Sequence, residues 1–337
     1  MVQLLIIALA LVGAAALTGT VRRFAIRKSV LDIPNERSSH SVPTPRGGGI
    51  AIVVTFIATV LLGFALGDVS LATTSALVLG GAGVAVLGFY DDLGHIPARW
   101  RLLGHFLAGI WIVFSLGGLA PVTLWGEPTN LGFIGSLLAV VFLVWMLNLY
   151  NFMDGIDGLA SSEAVFVGLA GGLIYVLSGH GGLAGLSFAL AASAAGFLLW
   201  NFPPAKIFMG DAGSGFLGVV MGALALIAGW VSSDFFWSWI ILLGLFVVDA
   251  TVTLVRRLIR GEKVYEAHRS HAYQFASRQF ASHKKVTLAA WCLNLLWLFP
   301  VALLVAFGGL NGVLGVCLAY APLVVLALKF HAGERER

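Results

Sequence analysis

The residues with the types and spacing to do chemistry fall into five short clusters. The densest is Asn148-Leu149-Tyr150-Asn151-Phe152-Met153-Asp154-Gly155-Ile156-Asp157-Gly158, which places two amides and two carboxylates directly after the apolar run 133–147. Polar groups are costly in hydrocarbon, so this set calls for water, a partner or an ion. A spacing of three puts Asn148, Asn151, Asp154 and Asp157 on roughly one face of a helix-like turn. A calcium loop would need acids at alternate positions and a Glu at the twelfth, and these are missing. Helix capping and turn formation are the plain alternative. In Gly88-Phe89-Tyr90-Asp91-Asp92, adjacent carboxylates repel and persist where a cation or a shared proton offsets that cost. An acidic helix end in solvent is the alternative there.

Phe208-Met209-Gly210-Asp211-Ala212-Gly213-Ser214-Gly215 has the form of a phosphate-cradling loop opening a helix, with backbone N–H groups aimed at an anion and Lys206 beside it. It lacks the Gly-Lys-Ser/Thr of a nucleotide triphosphatase loop, and simple N-capping by Asp211 would also explain it. His268-Arg269-Ser270-His271 offers two histidines and a guanidinium to grip a diphosphate. A zinc site would want a third nearby ligand, and a solvated basic loop is the rival. Pro43-Thr44-Pro45-Arg46-Gly47-Gly48-Gly49, preceded by Arg37 and His40, adds a further base and a glycine run. It also reads as a stiff turn before a span.

What holds these clusters is a membrane. The 337 residues are 59% hydrophobic and only 11% charged, with mean hydropathy +0.96, far from the balance of a soluble globule. Apolar runs of the ~20 residues that span a bilayer occur at 2–20, 47–66, 72–90, 103–120, 133–150, 160–178, 183–201, 213–231, 235–255, 286–307 and 310–329. The expectation is an all-α integral membrane protein of about eleven transmembrane helices, a single polytopic domain over 1–337. The first run has no basic residue before it and Arg22-Arg23 after it, the reverse of a cleavable signal, so it reads as a retained helix with its N-terminus outside. No internal repeat supports the inverted halves of many transporters. Cys292 and Cys317 sit in different apolar runs and read as small core residues.

Threading these spans puts all 20 Lys and Arg on one side, in loops 21–46, 91–102, 151–159, 202–212 and 256–285 and at the C-terminal end of the chain. The opposite loops hold Asp68, Glu127, Asp234 and His180 and no cation. Basic residues stay cytoplasmic, so the C-terminus and all five clusters face the cytoplasm. The net charge of +4 then reflects topology and implies no nucleic acid. Asp249 alone falls one to two turns inside the membrane, on the approach to Arg256. Acid, amide, glycine and base on one membrane face suit a Mg²⁺-assisted reaction on a phosphorylated substrate.

The chain resembles the polyprenyl-phosphate N-acetylhexosamine-1-phosphate transferases, relatives of the phospho-MurNAc-pentapeptide translocase within glycosyltransferase family 4. The resemblance runs from about Asp32 to Gln274 on PNERSSHSVPTPRGGG, YDD, NLYNFMDGIDGLA, NFPPAKIFMGDAGSGFLG and HRSHAYQ. It implies an enzyme of the bacterial inner membrane that transfers an N-acetylhexosamine-1-phosphate from a UDP-sugar to undecaprenyl phosphate, releasing UMP. By motif match, Asp91 and Asp92 bind or deprotonate the lipid phosphate. Asp211 would hold Mg²⁺, or Mn²⁺ in its place, with Asn151 as second ligand. Asn148, Asp154, Asp157, Asn201 and Lys206 would surround the nucleotide, with Phe208 near the uracil and His268, Arg269 and His271 on diphosphate or sugar. His40, Arg46 and Asp249 are further candidates.

Two departures from the peptidoglycan branch stand out. His95 occupies the position where that branch has a Lys, and His-Arg-Ser-His replaces three adjacent histidines. Both point to an initiator of O-antigen or another surface glycan, using GlcNAc, GalNAc or a 6-deoxy sugar such as FucNAc or QuiNAc. Besides the two substrates, membrane lipids and a second copy in a homodimer are the expected partners. A lipid or solute transporter is the competing reading.

Overall fold

In hydrocarbon every backbone polar group needs an internal partner, so long apolar runs fold as helices. The computed structural model describes residues 2–34, 42–94, 96–263 and 268–335. Its helices are α1 (Val2–Arg27), α2 (Ile50–Ala65), α3 (Leu71–Gly94), α4 (Ala98–Ser115), α5 (Gly132–Met153), α6 (Leu159–Leu177) and α7 (Gly181–Asn201). They continue with α8 (Asp211–Val231), α9 (Ser233–Leu242), α10 (Gly244–Ile259), α11 (Ala272–Phe280), α12 (His283–Phe307) and α13 (Gly312–Lys329). Among the described residues, eight of these are long and apolar enough to cross a bilayer, or nine if α9 and α10 form one bent span. The protein is a polytopic membrane protein.

Three of the eleven expected spans differ from plain crossings. Helix α2 is apolar but only 16 residues long. Helix α4 opens with Arg99 and Arg101 and carries His105, which dilutes its apolar character. The stretch expected at 235–255 is broken, with α9 and α10 meeting at 66°. Asp249, Thr253 and Arg257, spaced i, i+4, i+8, make a polar stripe on α10, and the bend turns the helix that carries it towards the histidine loop. The all-helical expectation also omits two small antiparallel hairpins, β1 (Leu31–Asp32) with β2 (Thr44–Pro45) and β3 (Val122–Leu124) with β4 (Glu127–Thr129).

Helix α8 is the axis of the bundle. Every residue from Ala212 to Gly229 is buried, as an apolar-all-round helix must be. Helices α2, α3, α5 and α9 pack around it, so the N-terminus of α8 is delivered to the middle of one face. Helix α6 is nearly as enclosed, and its Glu163 is 2% exposed. There Asn294 of α12 donates to Glu163 Oε2 at 2.5 Å, inside a local widening of α12 over Asn294–Leu298.

Candidate active site

The site forms where α3 ends and α8 begins. Gly88 lies against the first turn of α8, where an added Cβ would sit 2.6 Å from the Asp211 carbonyl carbon and the Ala212 nitrogen. That close approach lets the next turn of α3 reach over the α8 N-terminus. Asp92 Oδ1 accepts the Asp211 N–H at 3.1 Å and Oδ2 accepts the Ala212 N–H at 3.4 Å. Asp92 therefore caps a helix from another part of the chain, where an anion is favoured by the free amides and the helix dipole.

The segment before α2 is laid across the same point by backbone pairing. Phe208 N–H donates to the Pro45 carbonyl at 2.8 Å, and Gly48 and Gly49 N–H donate to the Phe208 and Met209 carbonyls at 2.9 Å each. Gly49 and Gly213 touch so closely that a Cβ on either would meet the other's backbone at 2.5–2.6 Å. The glycine run is thus a docking strip. It aims Arg46 between Asp92, at 2.5 Å, and Asp211, at 3.1 Å.

Arg101, at the start of α4, closes the cluster from the other side. It pairs with Asp91 through Nη1 and stands 3.7 Å from Asp211. Asp91 also accepts the Ile96 N–H at 2.7 Å. Asn151 Nδ2, from the last turn of α5, donates to Asp211 Oδ1 and Ser214 Oγ, both at 3.0 Å. Three carboxylates from α3 and α8 therefore share two guanidinium groups and one amide. Asp154, just beyond α5, feels this cluster: burial, reinforced by the Asp211 carboxylate, pushes its carboxyl well up. A cavity of about 200 Å³ adjoins, lined by Asp91, Arg101, His105, Asn148, Asn151, Phe152 and Asp211 among others.

The other sequence candidates separate into those at the site and those that brace it. Asn148 lines the cavity while its Nδ2 donates to the Val144 carbonyl at 2.7 Å. Asp157 accepts the Ala205 N–H at 3.0 Å and pairs with His283 at 3.3 Å. Asn201 is buried, its Oδ1 accepting from Gly158 N and Ser161 Oγ and its amide donating to the Ile207 carbonyl, each at 3.0 Å. It ties the α5–α6 turn to the α7–α8 loop. Phe208 holds the docking strip through its backbone. Lys206 lies over Trp200 instead, with its Nζ 5.8 Å from the ring centre. His40 and His95 lie outside the described residues.

The histidine loop approaches α5 from α10 and α11. The His268 and His271 ring centres are 4.9 Å apart, and Phe152 lies within 6.4 Å of both. Tyr273 Oη donates to the Phe152 carbonyl at 2.8 Å, and Arg269 lines a separate polar cavity with Gly155 and Asp157. Burial, with His271 and Arg257 adjacent, pulls His268 down to about 3. Asp249 is spent locally: it accepts the Ala272 and Tyr273 N–H groups at 3.0 Å and sits 3.3 Å from His271 Nδ1. A transport site would want that acid free at midplane.

Sequence reasoning missed Arg101, Ser214, His105 and His283. Arg101 and His105 are i, i+4 on an apolar helix ten residues past Asp91, and that spacing was the available signal.

A divalent cation fits this donor set, although among the described residues no three His, Cys, Asp or Glu form a ready-made cage. Mg²⁺ takes one or two carboxylates and fills its remaining positions with water and substrate phosphate oxygens. Asp211 beside the Asn151 amide, with three carboxylates against two guanidiniums, supplies that kind of partial site.

These features define a membrane-embedded enzyme with a polar, charge-rich centre at the end of its bundle. The model of glycosyl transferase family 4 matches residues 74–229, and the chain belongs to that family. It is 32% identical over 294 residues to the probable undecaprenyl-phosphate N-acetylglucosaminyl 1-phosphate transferase of Bacillus subtilis (strain 168), covering 83% of this chain and 79% of that one. It is 31% identical to the decaprenyl-phosphate N-acetylglucosaminephosphotransferase of Mycolicibacterium smegmatis, covering 94% and 88%. The phospho-N-acetylmuramoyl-pentapeptide-transferase of Moorella thermoacetica is 36% identical over 199 residues, covering 54% of this chain and 61% of that one.

Proposed function

We propose that this enzyme transfers N-acetylglucosamine-1-phosphate from UDP-GlcNAc to undecaprenyl phosphate at the cytoplasmic face of a bacterial inner membrane, starting a lipid-linked surface glycan such as O-antigen. The observation that carries the reading is the convergence of Asp91, Asp92 and Asp211 with Arg46 and Arg101 at the α8 N-terminus. The Bacillus subtilis and Mycolicibacterium smegmatis relatives, 32% and 31% identical over 83% and 94% of this chain, are named for N-acetylglucosamine and a polyprenyl phosphate, which favours that sugar over GalNAc and the 6-deoxy forms. In this reading all eleven segments cross the membrane, with α2 and α4 as short or charge-tipped crossings, and the N-terminus lies outside.

A lipid phosphate oxygen attacks the β-phosphorus of the nucleotide-sugar. The new P–O bond forms as the bond to the α-phosphate oxygen breaks, and UMP leaves. Asp211 and Asn151 would hold Mg²⁺, which neutralises charge on the diphosphate. Arg101, held by Asp91, positions the acceptor phosphate, and Arg46 keeps Asp92 and Asp211 from repelling each other. A phosphate monoester with a second pKa near 6 is largely ionised at neutral pH, so Asp91 has to orient the nucleophile more than deprotonate it. His268, Arg269 and His271 face the diphosphate and sugar, and the Gly155–Asp157 turn with Phe208 takes the uridine.

The test is transfer of labelled sugar from a panel of UDP-N-acetylhexosamines into organic-extractable undecaprenyl phosphate. UDP-GlcNAc should be the preferred donor. Labelling from none of the panel would overturn the reading.

A further inference from the structure

The chain that follows α13 returns to the histidine loop, bonds it once, and is tied at several points to the elements that flank it. Gly333 N–H donates to the Ser270 carbonyl at 2.6 Å, between His268 and His271. Arg256, at the cytoplasmic end of α10, donates from Nη1 to the Ala332 carbonyl at 2.7 Å and from Nη2 to Glu334 Oε1 at 2.8 Å. The other Glu334 oxygen lies 2.9 Å from His331 Nδ1. Arg335 pairs at 3.0 Å with Glu262, which Arg257 and Arg260 also hold, at 2.9 and 3.1 Å. Ala332 is fully buried, and Phe330 and His331 lie against Phe280 and Phe275 of α11. A solvated tail would leave its backbone groups to water and its side chains free. This one spends them on the histidine loop and on the helices α10 and α11 that flank it.

That loop needs support, because no regular element contains His268 or Ser270. Asp249 holds it from below through His271 and the first amides of α11. The Ser270 carbonyl is bonded by Gly333. Ser270 in turn sets His268: its N–H lies 3.4 Å and its Oγ 2.9 Å from His268 Nδ1. A shift of the Ser270 peptide therefore moves His268 and Arg269 together.

We propose that residues 332–334 are a positioning strap for the His268–His271 loop, with Arg256 and Glu334 as its clasp, serving the diphosphate of the nucleotide-sugar substrate. This rests on the function proposed above for the loop. The strap touches neither Asp91 nor Arg101, so it acts on one substrate and leaves the lipid phosphate alone. Displacements of about 1 Å at a positioning group are enough for large losses of rate.

The experiment uses the full-length enzyme, a variant ending at His331, Glu334→Gln, and the charge exchange Arg256→Glu with Glu334→Arg. Michaelis constants are measured for UDP-GlcNAc and for undecaprenyl phosphate, together with amide hydrogen exchange over 268–274. The shortened chain should raise KM for UDP-GlcNAc by tenfold or more, leave KM for the lipid within twofold, and lose protection over 268–274. Glu334→Gln should show the same effect more weakly, and the charge exchange should recover part of it. If the shortened chain does not fold, Glu334→Gln and the exchanged pair decide. Unchanged KM for UDP-GlcNAc, an equal rise for both substrates, or unchanged exchange over 268–274 would overturn the strap. If the wild type transfers no sugar, the proposed function fails, and the exchange data alone judge the strap.

Discussion

Removing Arg101 tests the site where its arithmetic is clearest. Arg101 stands 3.7 Å from Asp211 and pairs directly with Asp91, which is 8% exposed. At an effective dielectric near 20, unit charges 3.7 Å apart attract by about 4.5 kcal/mol. The Arg101 side chain is 39% exposed, so solvent screens much of that. Exposed pairs are worth about 0–1 kcal/mol, and breaking a desolvated charged pair costs about 2–5 kcal/mol. Arg101→Ala should therefore cost ~2 kcal/mol of transition-state stabilisation, or about 30-fold in kcat/KM. The loss should fall mainly on KM for undecaprenyl phosphate, because the side chain faces the cavity shared by Asp91 and Asn148. Arg101→Lys keeps the point charge and should recover several-fold. Initial rates of label transfer, with each substrate varied in turn, measure both. Wild-type kinetics in Arg101→Ala, or a loss confined to KM for UDP-GlcNAc, would refute the assignment.

Other outcomes follow from packing and titration. Asp249→Ala strips two amide acceptors and the His271 partner and should lower stability by about 1–2 kcal/mol while sharply cutting activity; Asp249→Asn should keep part of both, as thermal unfolding in detergent will show. Gly88→Val drives a side chain into the α8 backbone and should cost about 1–3 kcal/mol or prevent folding, read from yield and thermal midpoint. Glu163→Ala leaves the Asn294 amide unpaired in the bundle and should cost about 1–3 kcal/mol, whereas Glu163→Gln should be milder. His268 is held near 3 in the folded protein, below its ordinary 6.5, so the unfolded chain takes up the proton first. Its contribution is complete above pH 6.5 and declines as pH falls towards 3, and His268→Gln should flatten that part of the stability–pH curve.

The sequence made the membrane class and the five clusters legible, because hydrophobic runs and short polar motifs are local signals. The roles inside the clusters were less accessible. Asp92 reads as a metal or phosphate acid, yet it caps α8 from another helix, and no periodicity reports a cap supplied from 119 positions away. Asn201 reads as a nucleotide ligand by motif match and Asp249 as a functional acid because it falls inside a span, whereas in the structure both bond neighbouring backbone and brace loops. Arg101 is hard to single out because two bases at a helix start, Arg99 and Arg101, look like a topology signal. The bend between α9 and α10 was hidden by a run apolar enough to read as one span. The glycine run at 47–49 had a rival as a stiff turn, and only its backbone pairing with Phe208 and Met209 shows its purpose.

The most direct measurement is the Asp211→Asn variant assayed for transfer of labelled GlcNAc-phosphate into undecaprenyl phosphate across a Mg²⁺ titration. Loss of transfer by a hundredfold or more, with a raised Mg²⁺ requirement and an unaltered thermal midpoint, is the expected result. Near-normal turnover with an unchanged Mg²⁺ dependence would contradict the convergence of acids on one ion at the head of α8.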